Sequence, residues 1–358
     1  MAALILTPAG WAEDTRLLPL KCDLLDNGIV RCALLQADGK LIIGGDFIRV
    51  NGHAITNLAR LKPDGTLDTS WTPNPDGPVR ALALDGDKLY VGGVFSRIGG
   101  QPLHRIARVD TATGAADAGW NPNASDSVNA IALKGTNIYV GGWFTNIGGY
   151  TRKYIAKLDH ITGQAVPGWT PNPNGEVLNL ALGGKYLYGS GWFSCRLARV
   201  DAATGAADPH WNPMDTNYCH HDETFVAAGG KHVYMGGLYD HYWAPTKRCN
   251  ARLDQDTSVT DPGWNPNFGC NISVIAVDGT NIYTAGIYTN INGYWWSRFA
   301  RLDSITGVVD TNMDQLTDDE VFTIAACGTN IYIGGKFTAI GSQPALGLAK
   351  LDPVTGRK

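Results

Sequence analysis

The chain is poor in charge, and in glutamate above all. Only 17% of its 358 residues are Asp, Glu, Lys or Arg, and the formal net charge is −4. There is no basic stripe, which argues against nucleic acid as a partner. Glutamate occurs only at positions 13, 176, 223 and 320, so the acids are nearly all aspartate. No apolar run reaches the roughly 18 residues that a membrane-spanning helix needs, so membrane insertion is not expected. The opening Met1–Pro8 is short and has no basic residue ahead of it, so it does not read as a secretory leader. Three settings follow: the cytosol, export by another route such as inclusion in a virus particle, or removal of a leader. Catalytic signatures are lacking as well. There is no Ser–His–Asp arrangement, no nucleophile elbow and no phosphate-cradling loop. Glu223 with Asp222 would supply an acid–base pair, but no second carboxylate stands at a mechanistic spacing. No cofactor is implied.

What the chain has is repetition. A Gly pair or close variant followed by an aromatic recurs seven times. It reads Gly44-Gly45-Asp46-Phe47, Gly92-Gly93-Val94-Phe95, Gly141-Gly142-Trp143-Phe144 and Ser190-Gly191-Trp192-Phe193. It continues as Gly236-Gly237-Leu238-Tyr239, Ala285-Gly286-Ile287-Tyr288 and Gly334-Gly335-Lys336-Phe337. The second Gly returns every 46 to 49 residues, a period that indicates a stacked or radial repeat.

Each unit holds four short apolar runs bounded by Gly, Pro, Asn and Asp, which are strand and turn signals. In the second unit they are Val79–Leu84, Leu89–Phe95, Ile106–Val109 and Ala116–Trp120. An Asp-x-x-x-Gly turn separates the last two runs, as at Asp110–Gly114, Asp201–Gly205, Asp303–Gly307 and Asp352–Gly356. Asp can bond the backbone two residues on, and Gly supplies positive φ. Turn capping explains these acids better than calcium, whose loops need denser ligands. Trp71, Trp120, Trp169, Trp211 and Trp264 recur at one position and are expected to pack unit on unit. Within the strands, the Gly pairs are expected to let a neighbouring unit approach the bare backbone.

Four strands per unit and this period predict an all-β, closed seven-bladed β-propeller with four-stranded blades. The last unit stops before its fourth run. Asp14-Thr15-Arg16-Leu17-Leu18-Pro19 matches Asp68–Pro73 and would complete that blade. Residues 1–27 therefore read as a closing strand and linker, and 28–358 as the propeller, together one domain.

Departures from the template gather on one face, here called the top face, in units four to six. Gly191 to Ala198 spans 7 positions where every other unit has 14, which should open a notch. Met214–Asp222 is an enlarged entry loop holding Cys219-His220-His221-Asp222. Glu223 stands where other units have Val or Ile. Tyr239-Asp240-His241-Tyr242-Trp243 and Tyr294-Trp295-Trp296 add aromatics. The candidate partner-binding residues are Trp243, Tyr242, Tyr294, Trp295, Trp296, His221, Asp222, Glu223 and His241. Protein contact, glycan stacking and packing of loop on loop all fit such a set. His220, His221, Asp222, Glu223 and His241, with Cys219, are also transition-metal ligand types, although no ligand spacing is met. Seven cysteines cannot all pair within one chain. Cys32 and Cys327 sit in inner-strand runs as small apolar residues. Cys195–Cys249 and Cys219–Cys270 fit interblade disulfides in an oxidising setting, and reduced thiols fit equally.

The phrase Gly92-Gly93-Val94-Phe95, Ile98-Gly99-Gly100, Ala107-Arg108-Val109-Asp110, Asp117-Ala118-Gly119-Trp120 resembles the delta-60 repeat. The resemblance covers nearly the whole chain, with units four and five degraded. It implies a β-propeller of the kind found in bacterial extracellular and surface proteins and some phage structural proteins. More loosely, it is similar to the propellers of fungal cortical polarity markers. That family shares no catalytic residues. The expectation is a non-enzymatic structural or protein-interaction module in a larger assembly, such as a virion tail or fibre or a cell-surface adhesion module. The alternative is a carbohydrate-binding or glycan-cleaving propeller.

Overall fold

The computed structural model describes residues 28–192, 197–208, 211, 224–237, 250–266, 268, 272–288, 290–291, 293–295, 298–313, 317–328 and 330–358. Of Thr224, Tyr294 and Trp295 only the backbone is described. The described residues contain no helix. They form seven three-stranded antiparallel sheets, one per sequence unit.

In the second unit, Lys88–Gly93 is the central strand, flanked by Val79–Asp85 and Ile106–Asp110. The third unit repeats this with Val128–Lys134, Asn137–Gly142 and Ile155–Asp159, and the fourth with Val177–Gly183, Tyr186–Gly191 and Leu197–Asp201. The first strand of every unit packs against those of the units before and after it, and Val321–Cys327 packs against Ile29–Leu35. The core is thus a series of apolar layers between sheets. One holds Ala81, Ala83 and Tyr90 of unit two against Val128, Ile131 and Ile138 of unit three.

The expected fourth strand is a single bridge, as at Val109 to Ala116, Leu158 to Ala165 and Leu302 to Val309. The next residues turn inward instead. Asp117 N–H donates to Arg108 O, then Trp120 N–H donates to Asp117 O. This buries the indole, and Trp120 Nε1 donates to Asp159 O of unit three at 3.3 Å. Trp71, Trp120 and Trp169 are essentially fully buried, as unit-to-unit packing requires.

An arginine fastens five of these joints, and in unit three Lys157 Nζ donates to Ala203 O at 3.3 Å instead. Arg60 pairs with Asp68 in its own unit at 2.8 Å and donates to Thr111 O in the next. Arg108–Asp117 reaches His160 O, Arg199–Asp208 reaches Gln255 O, Arg252–Asp261 reaches Ser304 O, and Arg301–Asp310 reaches Pro353 O. A planar guanidinium suits this double task.

The two glycines of the pair do different work. A Cβ on Gly141 would lie 2.5 Å from Val177 Cγ1, and one on Gly334 2.5 Å from Val30 Cγ1, both in the neighbouring unit. The first Gly therefore admits the next sheet, as expected. A Cβ on Gly142 would instead lie 2.1 Å from Ser127 O, just before the first strand of its own unit. A bulge there shifts the register between Gly141 and Gly142. The expectation of a neighbouring unit at both glycines is corrected for the second.

The Asp-x-x-Thr-Gly turns cap themselves. Asp303 Oδ1 accepts from Ile305 N, Thr306 N and Thr306 Oγ1 at 2.7–3.0 Å. Asp110, Asp159, Asp201, Asp254 and Asp352 hold equivalent bonds. Cys32 is buried, and its thiol is pushed up to about 12 by desolvation, while Cys327 is half-buried. The closing segment 1–27 lies outside the described residues.

Candidate functional site

In the units described at both ends, the chain reaches the top face at two places. One is the start of the first strand, and the other is the residue just past the Gly pair. The second residue after the strand enters holds Arg31, Arg80 and Asn129 in units one to three. The residue past the Gly pair is Asp46, Val94, Trp143, Trp192, Ile287 and Lys336 in the described units. Because first strands pack side by side, these positions gather where the inner edges of the sheets meet.

A polar chain runs across three units there. Arg80 Nη1 donates to Asn129 Oδ1 at 2.8 Å, and Asn129 Nδ2 donates to Glu176 Oε1 at 2.7 Å. Asn129 is 1% exposed and Glu176 8%. Burial raises the Glu176 carboxyl above its ordinary value, while the Asn129 bond and the Arg80 charge pull it down. Burial likewise lowers the Arg80 guanidinium from its usual value. A guanidinium remains charged at neutral pH all the same. Arg31 lies over the Phe322 ring at 5.8 Å, and Lys336 reaches the same ring at 5.9 Å while approaching Glu320 at 3.6 Å. Among the described residues, neither Arg31 nor Arg80 has a carboxylate at ion-pair distance.

Beside this chain stand two indoles. Trp192 N–H donates to Glu176 O at 2.9 Å, and Trp143 N–H donates to Ser127 O at 3.0 Å, so both backbones are pinned to the entry residues. The rings meet edge to face with centroids 6.4 Å apart. They are 48% and 50% exposed, in contrast to the buried tryptophans at the joints. Further along the same first strands, a cavity of about 150 Å³ is lined by apolar residues such as Ile131, Leu133, Leu180 and Val226.

His220, His221, Asp222, Glu223, His241, Tyr242, Trp243, Trp296, Cys195, Cys219, Cys249 and Cys270 lie outside the described residues. Tyr294–Trp295 pairs with Asn290–Ile291 as a two-residue hairpin. Equivalent hairpins occur at Arg49–Val50 with His53–Ala54 and Asn146–Ile147 with Tyr150–Thr151. In the latter, Gly148 and Gly149 have φ of 60° and 80°, as a tight primed turn requires. The sequence reading missed Arg31, Arg80, Asn129, Glu176, Trp143 and Trp192 as a group.

A family model described as "Domain of unknown function (DUF5122) beta-propeller" matches residues 36–70 and 137–159. The WD40 β-propeller domain of Doa1 is similar with a TM-score of 0.58 at 10% identity, covering 86% of this chain and 94% of that one. The chain is a β-propeller. A computationally designed protein, Ika8, resembles the propeller with a TM-score of 0.56 at 13% identity, over 91% of this chain and 97% of that one. So does the extracellular domain of a putative hybrid two component system from B. thetaiotaomicron, with a TM-score of 0.56 at 15% identity. That match covers 90% of the propeller but only 38% of the larger protein. No curated protein matches the chain. At these identities the likeness is one of fold, and function has to come from the site.

Proposed function

We propose that the chain is a closed seven-bladed propeller of the delta-60 kind, with its last blade completed by residues 14–19, and that it acts as a non-catalytic protein-interaction module. Packing of Val321–Cys327 on Ile29–Leu35 supports closure. The observation that carries the function is the pair Trp143 and Trp192. Two half-exposed indoles on rigidly pinned backbones are anchors of the sort that dominate binding surfaces. The setting is a larger assembly, as a virion tail or fibre component or a cell-surface adhesion module. The likeness to an extracellular domain supports a place outside the cell. The top-face aromatics of units four to six, Tyr242, Trp243, Tyr294, Trp295 and Trp296, would extend the same surface.

The test is co-sedimentation of purified propeller with its parent particle or cell envelope, comparing wild type with Trp143→Ser/Trp192→Ser. Binding that survives the double substitution would refute the assignment of this face. A wild-type protein that stays monomeric and associates with nothing would refute the interaction module itself. The second reading, a carbohydrate-binding propeller, is favoured by the polar chain Arg80–Asn129–Glu176 beside the indoles.

A further inference from the structure

Two halves of different chemistry meet where the first strands converge. Units three and four contribute the half-exposed faces of Trp143 and Trp192. Units one and two contribute Arg31 and Arg80, which are half-buried and occupy the same register position on neighbouring strands. Asn129 and Glu176 bridge the halves. Indole faces carry a negative quadrupole and attract C–H edges, so they accept the apolar face of a pyranose ring. The two guanidiniums, with no carboxylate of their own at ion-pair distance among the described residues, are matched in charge and shape to an external carboxylate or sulfate. A purely apolar partner would leave the guanidiniums desolvated and unpaired. A purely anionic one would leave the indoles unused.

We infer that the converging first strands form a binding site for an acidic saccharide. The sugar ring rests on Trp192 and Trp143, and its acidic group is held by Arg31 and Arg80. This rests on the reading of the top face as a recognition surface, and it names the ligand class for the carbohydrate alternative. Asn129 and Glu176 act as positioning residues, because their side chains are buried and hold Arg80 in place.

The experiment is isothermal titration of the full chain with trigalacturonate, a neutral cellotriose and a short polyglutamate. Glycan-array binding on uronate-, sialate- and sulfate-bearing oligosaccharides widens the acidic arm. Acidic oligosaccharide is expected to bind best, and more weakly as salt is raised. Trp192→Ala should lower affinity roughly tenfold or more, as loss of a central aromatic anchor does. Arg31→Gln should bring acidic and neutral sugars to the same weak affinity. Ile161→Ser, on an exposed turn of the opposite face, should change nothing. Absence of binding to every acidic sugar overturns the inference, as does binding indifferent to both tryptophans. Equal binding of polyglutamate overturns the saccharide part. Where sugar binding fails while Trp143→Ser/Trp192→Ser still abolishes co-sedimentation, the ligand class is wrong and the interaction module stands.

Discussion

Replacing Gly141 by alanine should destabilise the propeller, whereas the same change at Gly189 should not. Gly141 is the first residue of the Gly pair in unit three, whereas Gly189 stands one residue before the corresponding Ser190-Gly191 of unit four. A Cβ on Gly141 meets Val177 Cγ1 at 2.5 Å, well inside contact distance, and the obstacle is a β-branched side chain with little freedom to move. Overpacking of this kind costs about 1–3 kcal/mol. A Cβ on Gly189 has Leu180 Cδ2 at 3.6 Å and Val177 Cγ1 at 4.0 Å, which is ordinary contact. Alanine there also narrows the unfolded ensemble, worth about 0.4–1 kcal/mol of stability. Val177→Ala alone removes two methyl groups from a buried layer, at about 1.5–3 kcal/mol. In Gly141→Ala/Val177→Ala the new methyl occupies the space that the old ones left. The pair should therefore be more stable than the sum of the singles by about 1 kcal/mol or more. Urea midpoints at constant slope read all four proteins. A Gly141→Ala protein with a wild-type midpoint, or singles that simply add, would refute steric admission of the neighbouring sheet as the reason for glycine.

Other outcomes follow from the joints and the titrating groups. Arg60→Met leaves Asp68 buried without its partner, and should cost about 3–5 kcal/mol in urea unfolding, with Arg60→Met/Asp68→Leu recovering most of it. Asp110, Asp159, Asp201, Asp303 and Asp352 are held below the ordinary value of 3.8, first by backbone N–H groups of their turns. Their contribution is therefore full above that value and lost as pH falls through the lower folded values, so Asp303→Ala should flatten the acid limb of a stability–pH curve. Glu176 has the opposite sign, because burial raises it above 4.5. Its charged form weakens the fold as pH rises from 4.5 through the higher folded value, so Glu176→Gln should gain on wild type in thermal melts at pH 7 and lose that gain near pH 4.

The strands, the turns and the buried tryptophans were legible because each recurs, and recurrence separates a structural requirement from chance. Asp110–Gly114 and Trp120 could be read from one unit and checked in the next. The fourth strand was over-read, because alternation at Ala116–Trp120 looks the same whether the backbone pairs on or turns after Asp117. The second Gly was misassigned because a bulge is set by backbone register, which composition does not encode. The converging cluster was hidden for another reason. Insertions and broken template positions concentrate in units four to six. Arg31, Arg80, Asn129 and Trp143 break nothing, since they occupy ordinary positions within intact units, and Trp192 keeps its template position beside the shortened loop. The available signal was variation down a column, where Arg31, Arg80 and Asn129 differ beside an almost invariant Val.

The self-capped turns have a consequence for how this molecule meets anything on its opposite rim. Asp, Thr and Gly hold the backbone, and the first variable residue gives its carbonyl to the preceding unit, as His160, Ser304 and Pro353 do. The second variable residue is not needed for this, although Ala203 O also accepts from Lys157 Nζ at 3.3 Å. It is Ala112, Ile161, Ala203, Ile305 or Val354, and each is exposed. The rim therefore displays one side chain per turn at near-regular intervals, and each can change without altering the frame. A partner with matching spacing would touch several of these at once. Contacts too weak to matter singly would then act together through effective concentration.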